Sequence, residues 1–342
     1  MKLLRLFSIG IFIALLLSSC ANEKSTSSEA IEKDLLDAYM VVKYGEDRSL
    51  WPAQADMGYY YIPLRSTGNV TKPQDDSWIK YDISSISQDG ILIYTSVADV
   101  AKDFNTFSYF THYTPEYYIM GDNYGYITNG LADAMKNYIA VGDSVRLIMY
   151  PSLIGLDTYL PSINTGKPVT MDITVKNVVP LPLETEESEL VSFKENHYST
   201  AVSLKGESGN DTTNIYFQEL IPPTGDVIVE DKDTVRVFYT GRYLDGYMFD
   251  TNIIDSAKKY NIYSYNPTKY DPEGLRVIIG NSEVVNGFEA GIKNMKLGSS
   301  AVVFFTSAWG YGNAGDSQKG MKPYTSLCFH IWLEKVNKGT TE

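Results

Sequence analysis

Two cysteines in 342 residues leave no material for a disulfide framework. Cys20 lies in an N-terminal segment that reads as processed, so Cys328 would be the one thiol of the folded body. Its place in an apolar strand pattern marks it as a packing residue rather than a reactive one. Histidine is as scarce: His112, His197 and His330 stand far apart without ligand spacing, so no metal site is expected. No Ser/His/Asp signature, nucleophile elbow or P-loop occurs, which removes the commonest hydrolase and nucleotide-binding readings. Positive charge is short too. The 29 Lys and Arg against 42 Asp and Glu give a net charge of −13, which argues against nucleic acid or an anionic lipid surface as a partner. Beyond residue 20, no run approaches the roughly 20 apolar residues needed to span a bilayer.

What is present is an apolar content of 44% and an aromatic content of 13%, with 27 Tyr, the profile of a β-rich globular chain long enough for two cores. The first residues stand apart from it. Lys2 and Arg5 precede a short apolar stretch, Leu6–Leu17, and Leu17-Ser18-Ser19-Cys20 resembles a bacterial lipoprotein cleavage box. Residues 1–19 are therefore expected to be a signal peptide, Cys20 the lipidated N-terminus, and residues 20–27 a tether. Loss of Lys2 and Arg5 would take the net charge to about −15. The expected location is the cell envelope, anchored by lipid; Ala21 after the cysteine points to the outer membrane.

A helix is expected next, opened by a Thr26-x-x-Glu29 capping box, with Ile31, Leu35, Tyr39 and Val42 at helical spacing up to Gly45. Met57–Leu64 and Ser77–Ile86 read as strands. The two halves of the chain then repeat one another. Residues 58–69 parallel 214–226, 78–96 parallel 235–252, 129–137 parallel 286–294, and 141–151 parallel 297–307. Glu184–Tyr198 between the halves is acidic and reads as a helix with a solvated face. Residues 205–213 are rich in turn formers.

The second half carries the chemistry. In V-R-V-F-Y-T-G-R-Y-L-D-G-Y-M-F-D (235–250), Val235, Val237 and Tyr239 share one face of a strand, Asp245-Gly246 makes a turn, and a return strand starts at Tyr247. Tyr239, Phe249 and Asp250 would converge on one pocket. G-N-S-E-V-V-N-G-F-E-A-G-I-K-N-M-K-L-G (280–298) puts Val285, Phe288, Ile292 and Met295 on one helical face. An apolar strand (301–305), the loop W-G-Y-G (309–312) and a strand with Leu327, Phe329, Ile331 and Leu333 on one face complete it.

In this order and spacing, Y-T-G-x-x-x-D-G-x-x-F-D, G-x-x-E-V-V-x-G-F-E-x-G-I, M-K-x-G and Y-G resemble the FKBP-type peptidyl-prolyl cis/trans isomerases over about the last 120 residues. The resemblance implies an α+β fold of two tandem FKBP-like domains, each an antiparallel half-barrel sheet wrapping a short helix. The first would be a degenerate copy over residues 28–180, followed by an acidic linker or helix over 181–212 and the isomerase domain over 213–339. It also implies a site. Phe288 would form the floor, where the family usually has Trp, with Phe249, Leu275, Val284, Val285 and Phe329 as walls around a proline ring. Asp250, Tyr311 and Tyr239 would be the catalytic groups: Tyr311 and the Val285 amide reach substrate carbonyls, and Asp250 binds the Tyr239 hydroxyl. No cofactor is implied, and the expected partners are proline-containing polypeptides.

Three departures qualify that picture. Residues 251–274 form a long insertion, Gly320 and Met321 replace the family's apolar pair before Pro323, and the first domain has Ile83, Tyr94 and Leu131 where Tyr239, Asp250 and Phe288 stand. The first domain is expected to be structural or peptide-binding rather than catalytic. The alternative for the whole chain is a non-catalytic proline-peptide-binding or envelope-assembly lipoprotein.

Overall fold

The structure, a computed structural model, describes residues 28–120, 129–150, 153, 167–179, 181–204, 214–281, 283–316 and 319–339. The chain opens with helix α1 (Ser28–Tyr44). The strands of the first sheet follow as β1 (Ala53–Gln54), β2 (Tyr60–Arg65), β3 (Trp78–Ser87), β4 (Leu92–Thr95), β5 (Glu116–Ile119), β6 (Ser144–Met149) and β7 (Val169–Val179). Helix α2 (Ala98–Asp103) lies between β4 and β5, and α3 (Asn129–Tyr138) between β5 and β6. Helix α4 (Pro182–His197) leads to β8 (Val202–Ser203), β9 (Ile215–Ile221), β10 (Thr234–Tyr243), β11 (Met248–Thr251), β12 (Leu275–Ile278), β13 (Ser300–Phe305) and β14 (Leu327–Asn337). Helix α5 (Ile254–Lys259) sits between β11 and β12, and α6 (Asn286–Lys293) between β12 and β13.

The two sheets have one topology. The first runs β1-β2-β6-β7-β3-β4 with β5 also on β3; the second runs β8-β9-β13-β14-β10-β11 with β12 also on β10. All pairings are antiparallel, and the irregularities recur at matching places. The register shifts at Lys80/Tyr81 against β7 and at Arg236/Val237 against β14; again at Ser85/Ile86 and Gly241/Arg242; and again at Pro63/Arg65 on β2 and across from Ser300/Ala301 on β9. Bulges bend a strand and re-aim its side chains, so three in register mean that both sheets curl around their helix in the same way. The expected tandem half-barrels are thus present, and Ile83, Tyr94 and Leu131 do occupy the places of Tyr239, Asp250 and Phe288.

Each core lies between a curled sheet and its short helix. In the second, Val235, Val237, Val303, Leu327, Ile331 and Leu333 enclose Phe288, Ile292 and Met295. Helix α6 can lie that close because it presents glycine to the sheet: a Cβ on Gly287 would sit 2.4 Å from the Phe305 ring, and one on Gly291 2.7 Å from Val303. Val285 stands outside this helix, contrary to its expected place on the helical face. It precedes α6 with an extended backbone, φ −64° and ψ 145°, which frees it to face the cavity described below.

Two further expectations change. On α1 the buried residues are Leu36, Tyr39 and Met40, whereas Ile31, Leu35 and Val42 are exposed. The helix carries two apolar stripes, and the one that meets the sheet includes only Tyr39 of the expected set. On α4 the acidic run is not wholly solvated. Leu190 packs with Val302, Phe304 and Cys328 on the outer face of the second sheet, and this draws Glu186 inside at 2% exposure. There its carboxylate accepts bonds from the Ser307 amide and hydroxyl and from the Ser326 hydroxyl. Burial pushes the Glu186 carboxyl above its ordinary range, against the pull of these donors. Cys328 is buried and its thiol is pushed up to about 12, in keeping with a packing role.

Candidate functional site

The bulge at Phe249 on β11, opposite Gly241/Arg242 of β10, aims Tyr239, Phe249 and Asp250 into one cavity. Its other walls come from β12 (Leu275), the turn before α6 (Glu283, Val284, Val285), α6 itself (Phe288), β14 (Phe329) and the loop between β13 and β14 (Tyr311, Lys319, Met321). The volume is ≈ 620 Å³. All nine pocket residues expected from the sequence line it. The tenth expected site residue, Cys20, lies outside the described residues, as do residues 205–213 and most of 151–160.

The floor is a cluster of edge-on rings. Phe288, 3% exposed, meets Tyr239 at 5.4 Å and Phe329 at 4.9 Å, and Phe249 meets Phe329 at 5.6 Å. Such contacts present both ring edges and faces to a small apolar guest. Gly241 is required under them, since a Cβ there would sit 2.7 Å from the Phe249 ring and 2.9 Å from Phe329. At one wall, the Tyr239 hydroxyl donates to Asp250 Oδ2 at 2.6 Å. Burial, and then the neighbouring carboxylate, push the Tyr239 phenol far above its ordinary value, so it stays a donor throughout the neutral range. Asp250 Oδ1 accepts from the Thr251 amide at 2.9 Å and pairs with Lys269 Nζ at 2.5 Å. Lys269 belongs to the insertion of residues 251–274, which therefore reaches the site as well as extending away from it.

The loop after β13 supplies the opposite rim. A 3₁₀ turn, Ser307–Trp309, leads to Tyr311, and Lys319 Nζ lies 5.0 Å over the Tyr311 ring. Met321 is 4% exposed, and the Tyr243 hydroxyl donates to its sulfur at 2.9 Å. Of Gly320 and Met321, which stand in place of the family's apolar pair, Met321 lines the pocket. Glu283, Lys319, Met321 and Lys269 were missed as site residues. Glu283 stands inside the G-x-x-E-V-V motif and could have been found; the lysines carried no signal.

The histidines serve packing and hydrogen bonding. His112 Nε2 lies 2.7 Å from Asp245, His330 Nε2 lies 2.7 Å from the Tyr198 hydroxyl, and His197 packs on Phe193. Among the described residues no cluster of His, Cys, Asp or Glu could hold a metal ion, and no helix is long and apolar enough to cross a membrane.

A bulged antiparallel half-barrel wrapped on one short helix, with an aromatic cavity at its open edge and a tyrosine-aspartate pair in its wall, defines an FKBP-like domain. Residues 225–334 match the model of the FKBP-type peptidyl-prolyl cis-trans isomerase family. A short-type peptidyl-prolyl cis-trans isomerase of Methanocaldococcus jannaschii is 35% identical over 85 residues, which are 25% of this chain and 52% of that protein. FK506-binding protein 1A of Aspergillus fumigatus is 31% identical over 109 residues, 31% of this chain and 79% of that protein. A crystal structure of a peptidyl-prolyl cis-trans isomerase from Pseudomonas syringae pv. tomato has 24% sequence identity and a TM-score of 0.34, covering 46% of this chain and 94% of that one. The chain belongs to the FKBP-type peptidyl-prolyl cis-trans isomerase family. It spans about half the length of the first of these relatives, 52%.

Proposed function

We propose that the second domain catalyses cis/trans isomerisation of X-Pro bonds in polypeptides. The uncatalysed reaction takes tens to hundreds of seconds because the amide must lose conjugation across a barrier of roughly 18–20 kcal/mol. No bond to carbon is made or broken, so a catalyst needs neither nucleophile nor metal. It needs a dry pocket that prefers the twisted amide to either planar form. The observation that carries the reading is the meeting of Tyr239, Asp250 and Tyr311 with the Phe249, Phe288 and Phe329 rings around one cavity. The proline ring would sit on Phe288. In the twisted state the carbonyl is no longer conjugated to nitrogen, and it would take hydrogen bonds from Tyr311 and from the Val285 amide. Asp250 and Tyr239 would polarise the amide from the side wall.

One observation favours a second reading, a proline-peptide binder without turnover in envelope assembly. Asp250 already has three partners, Tyr239, Thr251 and Lys269, which spend its charge within the protein. We further propose attachment to an envelope membrane through lipid on Cys20, supported by the Leu17–Cys20 box. A protease-coupled assay on the whole chain, with a proline tetrapeptide as substrate, separates enzyme from binder. The enzyme reading expects acceleration proportional to protein concentration; a rate equal to buffer at micromolar protein sinks it.

A further inference from the structure

We infer that the first domain braces the pocket of the second, with Glu116 as the positioning residue. The inference rests on reading that pocket as the proline-peptide site. Two loops far apart in sequence flank the pocket: the β10–β11 hairpin (243–247) and the loop between β13 and β14 (312–326). One short stretch of the first domain, residues 109–117, holds both.

At the hairpin, His112 stacks on Tyr243 at 4.2 Å and on Tyr247 at 4.7 Å, and its Nε2 is 2.7 Å from Asp245. The Tyr247 hydroxyl donates to the Tyr109 carbonyl at 2.8 Å. Tyr243 in turn packs on the pocket wall at Phe249, 4.9 Å away, and holds Met321. At the other loop, Lys322 Nζ donates to the Thr114 carbonyl at 2.7 Å and to Glu116 at 2.6 Å. This ion pair is sequestered, with side-chain exposures of 16% for Lys322 and 7% for Glu116. Lys322 directly follows the pocket residue Met321. Tyr324, with φ 50°, holds a left-handed conformation that a bulky side chain adopts only where its surroundings enforce it. Its ring meets Trp78 of β3 at 4.8 Å. The second domain contributes ties of its own to this loop, between Asp316 and Met321 and from Tyr324 to the Gly312 carbonyl, but the side chains of Lys322 and Tyr324 are turned to the first domain.

Loss of catalytic residues from the first copy then has an explanation. Tyr94, in the place of Asp250, donates its hydroxyl to Glu116, so the position that polarises a pocket in one copy orients the brace in the other. A sequestered ion pair broken on one side leaves an uncompensated charge, which moves toward water. Without Glu116, Lys322 would swing out and draw Met321 from the pocket wall.

The test uses the full chain and four variants: Glu116→Gln, Lys322→Met, the double variant and Lys322→Arg. Hydrogen exchange of residues 312–326 and binding of a fluorescent proline peptide are both measured. The expected result is faster exchange in 312–326, unchanged exchange in β13 and β14, and roughly fivefold weaker peptide binding for either single neutralisation. The double variant should be no worse than either single one, and Lys322→Arg should match the parent. Parental exchange in Glu116→Gln, faster exchange with parental affinity, additive losses in the double variant, or failure of Lys322→Arg to restore binding each overturns the brace. The exchange arm reads the brace even if the parent neither turns over nor binds proline peptides, a result that would count only against the proposed function.

Discussion

Asp250 and Tyr239 allow stability and catalysis to be told apart. The Tyr239 hydroxyl donates to a carboxylate at 2.6 Å from a half-buried site in the pocket wall. Tyr239→Phe removes a charge-assisted bond worth about 1.5–3 kcal/mol net. Asp250→Ala leaves that half-buried hydroxyl without its acceptor, a cost of about 1–3 kcal/mol. It also frees Lys269, whose pair with Asp250 is about one-third exposed (30% and 34%) and so adds at most about 1 kcal/mol. Asp250→Ala should therefore cost about 1–4 kcal/mol in urea unfolding of the second domain. The double variant should lose less than the sum by about 1 kcal/mol or more, because the Tyr239 hydroxyl is no longer there to be left without an acceptor. Activity should not recover in parallel. In the protease-coupled assay kcat/KM should fall at least about tenfold in both Asp250→Ala and the double variant, and less in Tyr239→Phe. Parental kcat/KM in a folded Asp250→Ala would refute the catalytic role, and strictly additive unfolding energies would refute the coupling.

Phe288→Ala should lose about 3–5 kcal/mol of stability together with peptide affinity, since one ring both fills the core and floors the pocket; calorimetry and peptide titration check the two losses. Tyr311→Phe, which removes one hydrogen bond of about 1 kcal/mol, should lower kcat/KM by less than tenfold with unchanged melting. Glu186 has a folded carboxyl raised by burial above the unfolded one, so the native state holds the proton more tightly; stability is greatest below the unfolded value and is lost as pH rises through the raised one. Glu186→Gln should flatten that fall in urea midpoints measured from acid toward neutral pH. Cys20→Ala should move the protein from the membrane pellet to the soluble fraction, because stable attachment needs more than one acyl chain; retention in a salt-washed pellet counts against the lipid anchor.

The pocket was legible because its parts lie in short, strongly patterned stretches. Alternation places Tyr239 on the inner face of β10, Asp245-Gly246 makes the turn, and the glycines around Phe288 announce a helix pressed on a sheet. The duplication was legible for the same reason, and matching bulges give it a physical basis. What escaped depends on tertiary partners. Helix α1 offers two apolar stripes, and only the sheet beneath it decides that Leu36 and Met40 are buried while Ile31 and Val42 are exposed. Glu186 reads as one acid among several until Leu190 seats the helix and Ser307 and Ser326 supply donors. Lys269 and Lys322 act on the pocket or its loop through carboxylates 19 and 206 residues away, Asp250 and Glu116, and local pattern carries no signal for such pairs.

The most direct test of the account is exchange NMR on a proline peptide whose cis and trans resonances are resolved, recorded with substoichiometric full-length protein. Cis–trans exchange cross-peaks are expected in the presence of the parent, greatly weakened with Asp250→Ala. Shifts of the peptide resonances without exchange cross-peaks would show a pocket that holds proline and does not turn it, and would contradict the central claim.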